Sequence, residues 1–315
     1  MKPVCLNLEE CNGLGDLICA TPTIKKLHDA YQRKITIISK MPELFKMNPY
    51  VEKSYKASSM DMTYVQSNYI VHNSFYLVGK KDERGIEMKH NMMDIRQFHA
   101  IHLGFMLGQN EMECVYYPQE KLKHTLPDRY VAIHPVSTWP NRSWSEKNWI
   151  ELVDKLITMD YKVVAIGKDS SETGFFNVNK PVLALEGIDV INLMNKTSIS
   201  DCWHIINNAD AFITMDSGLL HLAGTTETII IELGSAIAPE FRTPYRKGKQ
   251  GWRHYYVDGE CKLHCSSNMK YALEYWPTID YVQPLIGCLE KKETFECHPT
   301  VDKVITIVKL LAHIA

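Results

Sequence analysis

Asp216-Ser217-Gly218-Leu219-Leu220-His221 closes the apolar run Ala211-Phe212-Ile213-Thr214-Met215 and opens a short stretch of small and apolar residues through Gly224. It reads as a strand ending in a carboxylate, a Ser-Gly turn, and the first turn of a helix. The first N–H groups of a helix have no partner inside it, so such a start is an anion site. A second element of this kind lies near residue 1, where Val4-Cys5-Leu6-Asn7-Leu8 runs into Asn12-Gly13-Leu14-Gly15-Asp16 and then a helical pattern from Leu17 to Tyr31. Two strand-to-helix turns, each with an acid and glycine, predict two Rossmann-like halves facing one cleft.

The 315 residues are enough for two domains with separate cores. A formal net charge of -2 gives no global attraction to nucleic acid, although a local basic face remains open. The nine cysteines are odd in number and several sit in apolar runs, which reads as free thiols in a reducing, cytoplasmic setting. No apolar stretch approaches the roughly 20 residues of a membrane span, so any membrane association is expected to be peripheral.

Strand-like runs alternate with helical patterns, the pattern of parallel sheets covered by helices. The first half predicts strands at Val4–Leu8, Lys34–Ser39 and Tyr69–His72, with helices at Leu17–Tyr31, Pro42–Met47 and Met93–Leu107. It is weakest between Ser54 and Asn91. Pro118 to Asp128 is polar and bounded by prolines, and reads as a linker. The second half predicts strands at Tyr130–Val136, Lys162–Gly167, Ala211–Met215 and Thr228–Leu233, with helices at Ser145–Met159 and Ser198–Asn208, Ser198 and Asp201 forming a capping-box variant. Gly234 to Pro299 reads as irregular, and a last helix runs from Val301 to Ala312.

Gly13-Leu14-Gly15-Asp16 alone could be a tight connection with Asp16 capping the helix. Its continuation Leu17-Ile18-Cys19-Ala20-Thr21-Pro22-Thr23-Ile24 resembles the first signature of the bacterial heptosyltransferases, glycosyltransferase family 9. His134-Pro135-Val136-Ser137-Thr138-Trp139-Pro140-Asn141-Arg142-Ser143-Trp144 resembles the family's strand, polar turn and Lys/Arg-x-Trp. Asp216 to Ala223 resembles its Asp-Ser/Thr-Gly-x-x-His-Leu-Ala, and Asn192 to Ser198 its base-pocket segment.

The resemblance implies an α/β, GT-B architecture of two Rossmann-like domains with parallel sheets facing a central cleft. It implies an acceptor-binding domain over 1–123 carrying the catalytic base, a nucleotide-sugar-binding domain over 124–300, and a C-terminal helix over 301–315. The implied activity is inverting sugar transfer from a nucleoside-diphosphate sugar to an acceptor hydroxyl, with no catalytic metal. Carried over by position, Asp16 is the base beside Gly13 and Gly15. Ser137, Thr138, Arg142, Asp216, Ser217, Gly218, Leu219 and His221 hold the donor phosphates, and Gly167, Lys168, Asp169, Met194, Lys196 and Thr197 line the nucleotide pocket. The implied location is cytoplasmic or peripheral at the inner membrane face, and the implied acceptor is a glycan, with a protein side chain or modified DNA base as alternatives.

The chemistry agrees. Displacing a nucleoside diphosphate leaves negative charge on phosphate, which a guanidinium and helix N–H groups stabilise, while a carboxylate takes the acceptor proton. Arg142 stands where the family often has Lys, and Arg can grip two phosphate oxygens. Asp216 reads as a cap or binding group rather than a proton carrier, and His221 equally as a core histidine or a phosphate ligand. Lys168 and Asp169 could be an exposed turn. Trp139 and Trp144 read as packing beneath the phosphate loop, and His99 and His102 as surface or packing residues. Lys80 to Arg84 read as a solvated loop, and the basic-aromatic strip of Arg242, Tyr245, Arg246, Lys247, Lys249 and Trp252 also as a solvated loop, with contact to an anionic acceptor or the nucleotide as the functional alternative.

Cys261, Cys265, Cys288 and Cys297 fall in the irregular region, where four thiolates could close a structural zinc or iron site; free thiols or a disulfide are the alternative. Two other functions compete with transfer. A non-catalytic nucleotide-binding module would not need the titratable Asp16. A Rossmann oxidoreductase would need a third glycine where Ile18 stands and an acid where the second strand runs into Ser39-Lys40.

Overall fold

The computed structural model describes residues 2–11, 13–74, 93–136, 140–168, 188–248, 253–268, 288–290, 292 and 294–312. The chain divides into two compact units, Met1–Gln119 with Pro244–Lys247, and Glu120–Thr243 with Gly248–Ala315.

In the first unit, β1 (Val4–Asn7) leads to helices α1 (Leu14–Cys19) and α2 (Thr21–Tyr31), then β2 (Ile35–Ile38), β3 (Val51–Tyr55), α3 (Met62–Asn68), β4 (Ile70–Asn73) and α4 (Ile95–His102). The sheet is parallel in the order β3-β2-β1-β4. The expected single helix from Leu17 is two helices, broken at Ala20, because Pro22 cannot donate a backbone N–H. Pro42–Phe45 is a short 3-10 turn instead of the expected helix. α4 is shorter than expected: the Asp94 side chain caps it, accepting from Arg96 N at 2.8 Å, and Gly104 follows its end at φ +78.

The second unit runs β5 (Val131–His134), α5 (Glu146–Thr158), β6 (Val163–Ala165), β7 (Val190–Asn192), α6 (Ile199–Asn207), β8 (Ala211–Met215), α7 (Gly218–Ala223), β9 (Ile229–Leu233), β10 (His254–Val257) and α8 (Val301–Ala312). Its parallel sheet has the order β10-β9-β8-β5-β6-β7. The order reverses between β5 and β8, and ligands of such sheets bind beyond the strand ends at that switch point. Trp149, Leu152 and Leu156 of α5 share one core with Val301, Val304 and Val308 of α8 and with Ile133, Ile213 and Ile231 of the sheet. The last helix is thus part of this unit's core.

The polar segment after Pro118 is tied to the second unit. Lys123 N donates to Asp201 Oδ1 at 3.1 Å, and His204 Nε2 to the Glu120 carbonyl at 2.9 Å. These bonds carry the division of the chain to Gln119, a few residues before the expected boundary.

Candidate functional site

β5 and β8 lie side by side, so their last residues meet at the switch point. His134 ends β5, and its Nδ1 lies 3.1 Å from Ser217 Oγ and 3.3 Å from Thr214 Oγ1. Burial pushes the His134 ring down to about 4, so it is neutral near pH 7. Gly167 makes room for it: the glycine has φ +135, and a Cβ there would stand 2.6 Å from His134 Cδ2. Ser217 caps α7, its Oγ accepting from Leu220 N at 3.3 Å. Capping therefore falls to Ser217, which leaves Asp216 for another task.

That task is Arg142. Its Nη1 donates to Asp216 Oδ2 at 2.9 Å, with side-chain exposures of 13% and 4%. Arg242 Nε stands 4.0 Å from the same oxygen. Burial alone would raise the Asp216 carboxyl, but Arg142, Arg242 and His221 outweigh it and hold the group below the ordinary carboxylate range. Two guanidiniums against one carboxylate leave surplus positive charge, suited to an anion with several oxygens. Arg242 overturns an expectation, since it is buried against this carboxylate rather than part of a solvated strip. Arg246, expected in the same strip, is buried as well. Arg242 follows the turn Pro239–Phe241 and reaches Asp216 only through the fold. His221 is buried within α7, and the backbone of Gly218 and Leu219 forms that helix's first turn.

The expected nucleotide residues gather in part. Asn195 N donates to the Gly167 carbonyl at 2.8 Å, and Met194 Cε lies 3.4 Å from where a Gly167 Cβ would stand. Lys168 and Lys196 are exposed, and Lys196 Nζ bonds the Asn192 carbonyl at 3.1 Å. Thr197 turns toward α6, its Oγ1 3.2 Å from Cys202 Sγ. Ser137, Thr138, Trp139 and Asp169 lie outside the described residues.

In the first unit, Asp16 is the third residue of α1, and its Oδ2 accepts from Gly13 N at 3.0 Å. A Cβ on residue 13 would stand 2.7 Å from that oxygen, so the glycine lets the carboxylate fold back on the turn. Beneath it lies His99, fully buried, with Nδ1 2.8 Å from Ser74 Oγ. Burial and then His102 push the His99 ring down to about 4, against a bond to the Asp16 backbone that raises it. His99 is thus a core group under α1. His102 packs edge-on against Phe98, with ring centres 4.3 Å apart.

The stretch after β9 carries the four expected cysteines, and its described residues bond one another. Glu260 N and Cys261 N both donate to the Glu296 carbonyl, at 2.8 and 3.0 Å, and a Cβ at Gly259 would stand 2.2 Å from that carbonyl oxygen. Burial raises the Cys297 thiol to about 12, helped by Cys261, Cys265 and Cys288; Cys265 is raised to about 11 by burial and by Cys261 and Cys288. Among the described residues no three His, Cys, Asp or Glu are disposed as metal ligands, and all nine cysteines are free. The same stretch holds the Arg142 turn: Trp144 Nε1 donates to the Pro299 carbonyl at 2.9 Å, and Trp144 packs edge-on against Trp149.

The family model described as glycosyltransferase family 9 (heptosyltransferase) matches residues 83–271. Lipooligosaccharide heptosyltransferase 2 of Haemophilus influenzae is 27% identical over 105 residues, 33% of this chain and 30% of the relative. The chain thus spans about a third of the length of that curated relative. Among solved structures, the iron-containing dodecameric glycosyltransferase TibC of enterotoxigenic E. coli H10407 superposes with a TM-score of 0.71 at 17% identity, covering 99% of this chain and 76% of that one. TibC is also known in complex with ADP-D-beta-D-heptose. The family 9 glycosyl transferase of Veillonella parvula gives 0.69 at 15% identity over 100% and 98%. These likenesses support the fold of two parallel-sheet units.

Proposed function

Since the chain belongs to glycosyltransferase family 9, we propose that it is an inverting glycosyltransferase that moves a heptose or related sugar from a nucleoside-diphosphate sugar to an acceptor hydroxyl by direct displacement. The observation that carries the reading is the buried set of Arg142, Asp216 and Arg242 at the switch point of the second unit. An excess of guanidinium there suits a diphosphate that gains negative charge as its bond to the anomeric carbon breaks. Asp216 keeps Arg142 in one orientation, and Ser217 and His134 shape the wall beside it.

Asp16 acts as the general base, removing the proton of the attacking hydroxyl as the new glycosidic bond forms. Gly13 N–H steadies its Oδ2. The base pocket falls to Gly167 and Met194, with Ser137, Thr138, Lys168, Asp169, Lys196 and Thr197 as further donor contacts. ADP is the favoured nucleotide, because TibC, which shares the fold, is known with an ADP-heptose. A glycan hydroxyl is the favoured acceptor, as in the lipooligosaccharide enzyme the chain partly matches. Among the described residues no helix is long and apolar enough to cross a membrane, and the enzyme works in the cytoplasm or at the inner membrane face.

Cys261, Cys265, Cys288 and Cys297 would hold a structural iron or zinc, which when bound staples their segment and takes no part in transfer. Calorimetry with ADP, other nucleoside diphosphates and their sugars, followed by release of nucleotide in the presence of acceptor glycans, tests the function. Absence of binding by any nucleoside diphosphate overturns it.

A further inference from the structure

Asn141 precedes Arg142 in the turn Pro140–Arg142 and is fully buried. Two bonds from distant segments hold it. Its Nδ2 donates to Ser266 Oγ at 3.0 Å, and its backbone carbonyl accepts from His298 Nε2 at 2.9 Å. That carbonyl belongs to the planar peptide joining Asn141 to Arg142. Holding it fixes the plane from which the Arg142 side chain departs. Ser266 is itself anchored, its N donating to the Ala236 carbonyl at 2.9 Å beyond the end of β9. On the other side of Arg142, the Trp144 to Pro299 bond closes the tether.

The partners have a common address. Ser266 directly follows Cys265, and His298 directly follows Cys297. Cys265 and Cys297, two of these four cysteines, are therefore each one peptide away from a residue that grips Asn141. Arg142 in turn makes a well-directed bond to a buried carboxylate, so a small rotation of its turn would carry the guanidinium off target; misplacement of this order costs up to about 10²-fold in function.

We propose that Asn141 is a positioning residue for Arg142, through which the cysteine-bearing segment sets how tightly the donor diphosphate is held. The inference rests on the donor-site reading given above. Asn141 touches no substrate in this scheme; it acts only through its neighbour.

The test uses the full chain and two probes, ADP and adenosine, with the variants Asn141→Ala, Ser266→Ala, Arg142→Ala and both doubles with Arg142→Ala. Loss of one buried hydrogen bond should weaken ADP binding roughly 5- to 30-fold in Asn141→Ala and Ser266→Ala. Adenosine affinity should stay as in the wild type, and in the Arg142→Ala background either substitution should add less than about 2-fold, since coupled residues are not additive. A purely structural stitch would lower the melting temperature without changing the ratio of ADP to adenosine affinity. If Asn141→Ala fails to fold, Ser266→Ala, which removes only a hydroxyl, carries the comparison. ADP loss in Arg142→Ala without loss in Ser266→Ala or Asn141→Ala overturns this inference alone, as does an undiminished effect in the double variants. Wild-type ADP affinity in Arg142→Ala overturns the donor reading and this inference with it.

Discussion

Arg142 Nη1 meets Asp216 Oδ2 at 2.9 Å across 74 residues of sequence, joining the turn after β5 to the end of β8. The contact links the two strands whose adjacency creates the switch point. The cation proposed for the donor phosphates is thus already oriented by a protein carboxylate.

Arg142→Ala should therefore cost both stability and donor binding. Breaking one side of a buried pair costs about 3–5 kcal/mol, with Arg242 softening the loss here by staying near the carboxylate. Urea melts and ADP titrations measure the two effects. Because the folded Asp216 carboxyl is held below its usual 3.8, its contribution to stability is present above that value and disappears as pH falls through the lower folded value. Asp216→Asn should flatten the acid limb of the stability profile; an unchanged limb counts against the pair.

Asp16→Asn should leave ADP affinity nearly intact, since the amide oxygen can still accept from Gly13 N. Turnover should fall roughly 10²-fold or more, the usual scale for a lost general base. Wild-type turnover in this variant removes Asp16 from the mechanism.

Gly167→Ala should destabilise the second unit by at least about 1–3 kcal/mol, from positive φ and from collision with His134. His134 also predicts a pH effect. Its folded value near 4 lies below the ordinary 6.5, so it favours the folded state fully above 6.5, and that support drains away as pH drops from 6.5 toward 4. His134→Gln should show a shallower loss over this window; equal slopes for variant and wild type would speak against a buried neutral ring.

Protein purified without added metal should carry about one iron or zinc per chain if the four cysteines act as one tetrahedral set. Replacing Cys288 with Ser should then lower both metal content and melting temperature. Metal-free protein whose melting temperature ignores a chelator would strike the metal from the reading.

The residues that declared themselves in the sequence were those at strand-to-helix turns: Gly13 and Asp16 after β1, and Asp216 and Ser217 after β8. There a glycine, an acid and a change of hydrophobic period coincide. The strands that escaped notice share a cause, for β3, β7 and β10 are all edges of their sheets. An edge strand can carry charge and polar groups, as Glu52 and Lys53 do in β3, and so lacks the apolar run that marks a central strand. β10 hides further because His254 is buried by pairing with Glu232 of β9 at 2.8 Å, which no local pattern reveals. The burial of Arg242 was illegible for the same reason: it depends on a carboxylate 26 residues earlier, at 216.

The Arg142 turn takes its tethers from residues 155 and 157 positions further along, in the Trp144 to Pro299 and His298 to Asn141 bonds. Contacts so remote in sequence pay their loop-closure entropy late and slow the folding of the chains that depend on them. During synthesis the sheet from β5 to β10 can assemble before residues 294–312 emerge, but the turn that presents Arg142 cannot be fastened until they do. A ribosome-bound chain halted before residue 294 should thus hold the core strands of this unit while gripping a nucleoside diphosphate only weakly, so that full affinity waits on the emergence of residues 294–312.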